Sequence, residues 1–190
     1  MSPQTLESLE RRLLEIISHS PVPEDYPHAR NVREWVRKLR PQASAAVQVA
    51  ALAHDIERAL PERKVRREDY PDFDAFKRAH ARNSARVTGE ILDEFDLTDA
   101  FKKRVSYLIE HHEFGGREDE ELLALKDADA LSFFDVNLPY YAKRHTPEEI
   151  LFRMRWGIQR LSPRGRAFLP RFQFRDERLD RLFRECVRAA

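Results

Sequence analysis

The amino-acid sequence predicts an all-α fold, on three observations. Glycine is scarce, at 5 of 190 residues. Apolar residues recur at the 3.6-residue period over long segments, and no segment shows a convincing strand pattern. Prolines and short polar residues punctuate those segments where helices would start or stop. About eight helices follow, arranged as a bundle.

The first helix is expected over Pro3–His19, with Leu6, Leu9, Leu13, Ile16 and Ile17 on one face. Ser20-Pro21-Val22-Pro23 ends it, because proline cannot continue a helix. A second begins near Pro27, carries His28, Val32, Trp35, Val36 and Leu39 on one stripe, and stops at Pro41. The third, Ser44 to Leu60, contains Ala45-Ala46-Val47-Gln48-Val49-Ala50-Ala51-Leu52-Ala53. A helix apolar nearly all round is a buried one, so this is the expected central helix. Pro61 to Pro71 is charged and irregular and reads as a loop. Further helices are expected over Phe73–Phe95, Asp99–His112 (stopping near Gly115-Gly116) and about Glu118–Phe134. Thr146-Pro147-Glu148-Glu149 has the capping-box pattern with proline at the first helical position. Ser162-Pro163 resets the chain, and Arg175–Arg188 is amphipathic. A single domain over 1–190 is expected, with its core at about 20–160 and a helical extension over 161–190.

Composition narrows the function. Lys and Arg number 34 against 33 Asp and Glu, a formal net charge of +1. That balance gives no general attraction to nucleic acid or to acidic membranes. No apolar run approaches the roughly 18 residues of a membrane span. Cys186 is the one cysteine, so no intrachain disulfide forms, and the N-terminus lacks the pattern of a secretory signal. The expected setting is cytoplasmic, and the expected partner is a small molecule rather than a polymer or a membrane.

The chemistry is carried by histidines and carboxylates on the apolar stripes. The central helix ends in Ala53-His54-Asp55-Ile56. A buried His-Asp is costly unless paired or bound to a cation, and imidazole with carboxylate is a good ligand set for transition metals. One inward histidine is ordinarily a hydrogen-bonded core residue. Here four more helices each point a ligand type inward: His28 with Val32, Trp35 and Leu39; His80 with Ser84, Val87 and Ile91; His112 with Val105, Leu108 and Ile109; and Asp129 with Leu122 and Leu125. Five converging elements are poorly explained by packing alone.

The order His28, His54-Asp55, Asp129 resembles the HD-domain metal-dependent phosphohydrolases. Ala50-Ala51-Leu52-Ala53-His54-Asp55-Ile56 is similar to that family's central helix. Lys126-Asp127-Ala128-Asp129-Ala130-Leu131 is similar to its last motif, which favours Asp129 over Asp127 as the ligand. The resemblance covers about residues 20–160. Glu34-Trp35, the stretch from Gln48 to Arg58, and Ser162-Pro163-Arg164-Gly165-Arg166 also resemble an uncharacterised helical group related to HD proteins, many without the ligands.

The resemblance implies a divalent transition metal (Mn, Fe, Co, Ni or Zn, or Mg) and, because His80 and His111-His112 stand where a second site would need them, two ions per chain. His28, His54 and Asp129 would hold one ion, His80 and His112 the other, and Asp55 would bridge them as the catalytic carboxylate. Such a pair activates a water and neutralises charge on a phosphoryl oxygen. Hydrolysis of a phosphoester of a nucleotide or small phosphorylated metabolite is the expected activity. Arg58, Lys126 and His111 are candidate substrate contacts, Arg30, Arg82 and Arg117 weaker ones, and the loop from Glu62 to Tyr70 a candidate cover. Two other functions use the same residues: a di-iron oxygenase of the HD type, and a nucleotide-binding regulatory module without turnover.

Overall fold

The computed structural model describes residues 2–116 and 118–189; Arg117 lies outside them. Every described residue with regular structure is helical, and eight helices reach nine residues or more. They are α1 (Pro3–Ser18), α2 (Asp25–Leu39), α3 (Ala45–Ala53), α4 (Phe73–Leu92), α5 (Asp99–His111), α6 (Glu120–Ser132), α8 (Pro147–Arg160) and α10 (Glu177–Arg188). Two single-turn helices, α7 (Leu138–Tyr141) and α9 (Pro163–Arg166), complete the chain. None is long and apolar enough to cross a membrane.

Most of these helices begin at a short polar side chain that accepts a free amide of the first turn. Ser2, Ser44, Asp72, Thr98, Asp119, Thr146, Ser162 and Asp176 all cap in this way. Thr146 and Glu149 close the expected capping box reciprocally.

Helix α3 is central. Ala46 through Ala53, Gln48 apart, are buried, and α3 packs on α1, α2, α5 and α6. Its alanines let those neighbours approach. It is shorter than the periodicity predicts. The backbone leaves α geometry at Asp55 (φ −110°, ψ 12°) and continues as a 3-10 turn over Ile56–Ala59. In an unbroken helix adjacent side chains diverge by about 100°; the break lets His54 and Asp55 face one place. Helix α6 is likewise followed by a π-helical turn over Phe133–Asn137.

The buried core runs from Leu9 and Leu13 to Phe183 and Cys186, wider than the expected 20–160. The C-terminal segment belongs to it: Phe183 meets Phe134 edge to face with ring centroids 5.1 Å apart, and α10 packs on α8.

Candidate metal centre

Helices α2, α3, α5 and α6 bring His28, His54, His112 and Asp129 into one buried cluster, with Asp55 at its edge. His54 and His112 are 0% exposed. Ring centroids of His54 lie 5.2 Å from those of both His28 and His112.

The orientation of each ring is set from behind. His54 Nδ1 lies 3.0 Å from the Ala51 carbonyl oxygen and His112 Nδ1 2.7 Å from that of Ile109. A carbonyl only accepts, so in both rings Nδ1 carries the proton and donates. The Nε2 atoms of these two rings are buried and have no hydrogen-bond partner. His28 Nδ1 is held by Ser132 Oγ at 2.8 Å.

Distances then separate hydrogen bonds from something else. His28 Nε2 is 3.4 Å from Asp129 Oδ1 and 3.9 Å from Asp55 Oδ2. His54 Nε2 is 3.6 Å from an oxygen of each carboxylate. A hydrogen bond would close those gaps to about 2.7–3.2 Å. Two ligands on one tetrahedral ion, each bonded at about 2.0–2.1 Å, sit roughly 3.4 Å apart. The spacing is therefore that of ligand atoms around a common centre. Three sets of donors lie within 4.8 Å of one another: His28 with His54 and Asp129, His54 with Asp55 and His112, and His112 with Glu113 and Asp129. The unpartnered Nε2 atoms, the spacing and the mixed imidazole–carboxylate chemistry all fit a divalent transition ion.

His80 stands differently. Its Nε2 is 2.7 Å from Asp55 Oδ1 and its Nδ1 2.7 Å from Glu57 Oε1. Both carboxylates accept, so both ring nitrogens donate and the ring is an imidazolium. Burial opposes that charge, but Asp55 and Glu57 outweigh it and raise the His80 pKa. With both nitrogens hydrogen-bonded to carboxylates, His80 orients Asp55 in this arrangement. Glu57 is in turn held by the Val65 amide (2.6 Å) and Asn83 Nδ2 (2.9 Å). That amide comes from the 61–71 loop, which is thereby pinned behind the clamp rather than over the site.

Electrostatics follow the geometry. Burial disfavours the charged form of His54, yet Asp55 and Asp129 prevail and push its pKa up to about 9. Burial raises the carboxyl pKa values of Asp55 and Asp129, but their histidine and arginine partners hold both well below the usual range. Without an ion, protons and guanidinium groups do the work of neutralising these anions.

Around the cluster lies a narrow polar cleft of about 30 Å³, room for two or three water-sized groups. His28, Asp55 and Asp129 line it, with the cations Arg58, Lys77, Arg153 and Arg160 and the rings of Phe133 and Trp156. Arg58 reaches Asp55 at 3.1 Å and Asp25 at 2.9 Å. Arg160 reaches Glu113 at 2.7 Å and Asp129 at 3.3 Å, and Lys77 pairs with the other Glu113 oxygen. Arg160 also donates to the backbone oxygens of Glu113 and His112.

Two expected substrate contacts lie elsewhere. His111, the last residue of α5, points about 100° away from His112. It is exposed, packs on Tyr107 at 4.6 Å, and lines a separate hollow with Arg78, Arg82 and Phe114. Lys126 is half-buried beside Asp127 and does not line the cleft. Asp127 itself accepts from the Ser162 amide at 2.8 Å and from its hydroxyl, so it latches α9 to α6, and Asp129 is the member of the pair that enters the cluster.

Sequence reasoning missed the contribution of α8. Arg153, Trp156, Gly157 and Arg160 repeat at three- and four-residue intervals on one helix face. That periodicity was the available signal, obscured because arginines on an amphipathic helix ordinarily face solvent.

A family model described as a domain of unknown function (DUF4202) matches residues 11–182 of the chain. No curated protein and no solved structure matches it.

Proposed function

We propose that this chain, which belongs to the DUF4202 domain family, is a metal-dependent phosphohydrolase of the HD type, acting on a nucleotide or other small phosphorylated metabolite. The observation that carries this reading is twofold: the Nε2 atoms of His54 and His112 are buried without partners, and those of His28 and His54 stand 3.4–3.9 Å from the carboxylates of Asp55 and Asp129. Cations line the cleft beside them, which supports an anionic substrate.

His28, His54 and Asp129 would hold one divalent ion. Asp55 and His112 would hold a second, with Asp55 shared. When bound, such ions acidify a water and neutralise charge on a phosphoryl oxygen. The chain's own residues do the positioning. The Ala51 and Ile109 carbonyls fix the His54 and His112 rings, a kind of support that raises ligand basicity. His80 and Glu57 hold Asp55 in one orientation. Arg160 and Lys77 neutralise Glu113 and keep Asp129 in place. Arg58 lies beside Asp55, where it can meet a phosphoryl oxygen.

The test is metal analysis together with a phosphoester panel. Wild-type protein should hold two transition ions per chain and release phosphate with Mn or Co. Asp55→Ala should lose metal and turnover together. Full phosphatase activity in Asp55→Ala overturns the reading, as does a wild-type protein that binds no metal.

A further inference from the structure

Three of the four cations that line the cleft are already committed to carboxylates: Arg58 to Asp25 and Asp55, and Lys77 and Arg160 to Glu113. Arg153 is not. No carboxylate lies within ion-pair distance of it among the described residues. Its guanidinium sits instead among aromatic rings, 4.7 Å from the centroid of Phe133, 5.0 Å from Phe73 and 5.1 Å from Trp156. Rings attract a cation through their faces, but they leave in-plane N–H groups unmet. One terminal nitrogen, NH1, is buried with no hydrogen-bond partner. Burial also pushes the Arg153 pKa down, against the pull of Tyr141, Glu113 and Asp129.

Two more features converge on the same place. Asn137, from the π-helical turn after α6, lines the cleft with its side-chain oxygen buried and unpartnered. A half-turn of that amide presents an N–H instead. The cleft is also too narrow for more than a compact group. A guanidinium fork favours a compact anion with coplanar oxygen pairs. A terminal phosphoryl group has three unsubstituted oxygens and one substituent, so the head can enter while the rest of the molecule stays outside. An internal diester would have to bring two substituents through the same opening.

The geometry points to Arg153 as the recognition residue for a terminal phosphoryl group, which makes the substrate a phosphomonoester. This rests on the phosphohydrolase reading for the reaction, but its test does not require turnover. Metal-stripped full-length protein is titrated calorimetrically with inorganic phosphate, dimethyl phosphate and acetate, for wild type, Arg153→Lys and Arg153→Met. Wild type should bind phosphate at least tenfold more tightly than either control anion. Arg153→Met should weaken phosphate binding at least tenfold with an unchanged helical circular dichroism spectrum and unchanged metal content on reloading. Arg153→Lys, which keeps the charge and loses the fork, should fall between. If Arg153→Met does not fold, Arg153→Lys decides: phosphate affinity equal to wild type overturns the inference. So does a wild type that ignores phosphate, or that binds dimethyl phosphate or acetate equally well. Failure to release phosphate with any metal would sink the phosphohydrolase reading and leave this titration informative.

Discussion

The two ends of the histidine cluster are held in opposite ways. At the open end, the side chains of His54 and His112 each spend one nitrogen on a backbone carbonyl and leave the other buried and unbonded. At the closed end, His80 spends both nitrogens on carboxylates at 2.7 Å. The same residue type, equally buried, thus leaves one nitrogen facing the shared cluster in one place and has both nitrogens hydrogen-bonded in the other. What decides is the acceptor behind the ring. A carbonyl accepts from Nδ1 and leaves Nε2 free of a hydrogen bond, whereas a carboxylate pair accepts from both nitrogens.

The largest expected effect breaks that comparison directly. His54→Ala removes a ligand and should abolish retention of its ion. His80→Ala removes only support, which typically costs 10–100-fold in affinity or activity, so the ion count at saturating metal should be unchanged. Metal content by mass spectrometry under both conditions separates them. Equal loss of metal in the two variants would falsify the distinction and return His80 to the ligand set.

Next is Glu113, which serves the open end from behind. It is 1% exposed and sits between Lys77 and Arg160. Removing one partner of a buried charge group strands the others, at about 3–5 kcal/mol. Glu113→Ala should lower Tm by roughly 2–4 °C for each kcal/mol lost in a chain of this size, and should weaken metal binding because Arg160 is then free to leave Asp129. Glu90, whose side chain is half exposed, pairs with Arg63 and Arg86 on the surface. Glu90→Ala should leave Tm and metal binding as they were. Equal effects of the two substitutions would mean that burial is not what gives the Glu113 group its strength.

The closed end has a pH signature of its own. Glu57 is lowered from its ordinary 4.5, its hydrogen bonds from His80, Val65 and Asn83 prevailing over burial, which opposes the charged form. A lowered carboxyl contributes stability above its unfolded value and loses it as pH falls. His80 is raised from 6.5; its contribution is complete below that value and is lost as pH climbs through the folded pKa. The clamp is therefore strongest between about 4.5 and 6.5. In metal-free protein, the Tm gap between wild type and Glu57→Gln should be a few degrees in that window and should narrow on both sides of it. A gap independent of pH would mean that the pair contributes by packing rather than charge.

The elements were legible because their signals are local. Caps such as Thr146 with Glu149, proline stops and 3.6-period stripes each lie within a few residues, and the inward positions of His28, His54, His112 and Asp129 follow from those stripes. Three features were not legible, each for a physical reason. The end of α3 at Ala53 has no glycine or proline to announce it; the turn at Asp55 reflects contacts with α2 and α4 that no local rule contains. The state of His80 depends on Glu57, which is 23 residues away in sequence. Arg153 and Arg160 belong to a helix that meets the site only after the chain has turned through α7.

Gly157 offers the smallest and finest test of the comparison, because only the open end needs α8 close by. A Cβ at position 157 would lie 2.9 Å from the tip of the Phe134 ring, which is fully buried against Phe183 and Phe172 and has nowhere to retreat. Two effects compete in Gly157→Ala. Alanine favours the helix by about 1 kcal/mol over glycine, while forcing a methyl into a packed core costs about 1–3 kcal/mol. The net expectation is a loss of about 1 kcal/mol. If α8 shifts outward to relieve the contact, Arg160 moves from Asp129 and His112, so metal affinity should drop a few-fold while the Glu57-dependent Tm gap stays unchanged. In a Phe134→Leu background the clash disappears, and Gly157→Ala should become stabilising through helix propensity alone. A variant that altered the His80 clamp as much as metal affinity would show that the two ends of the cluster are one mechanical unit.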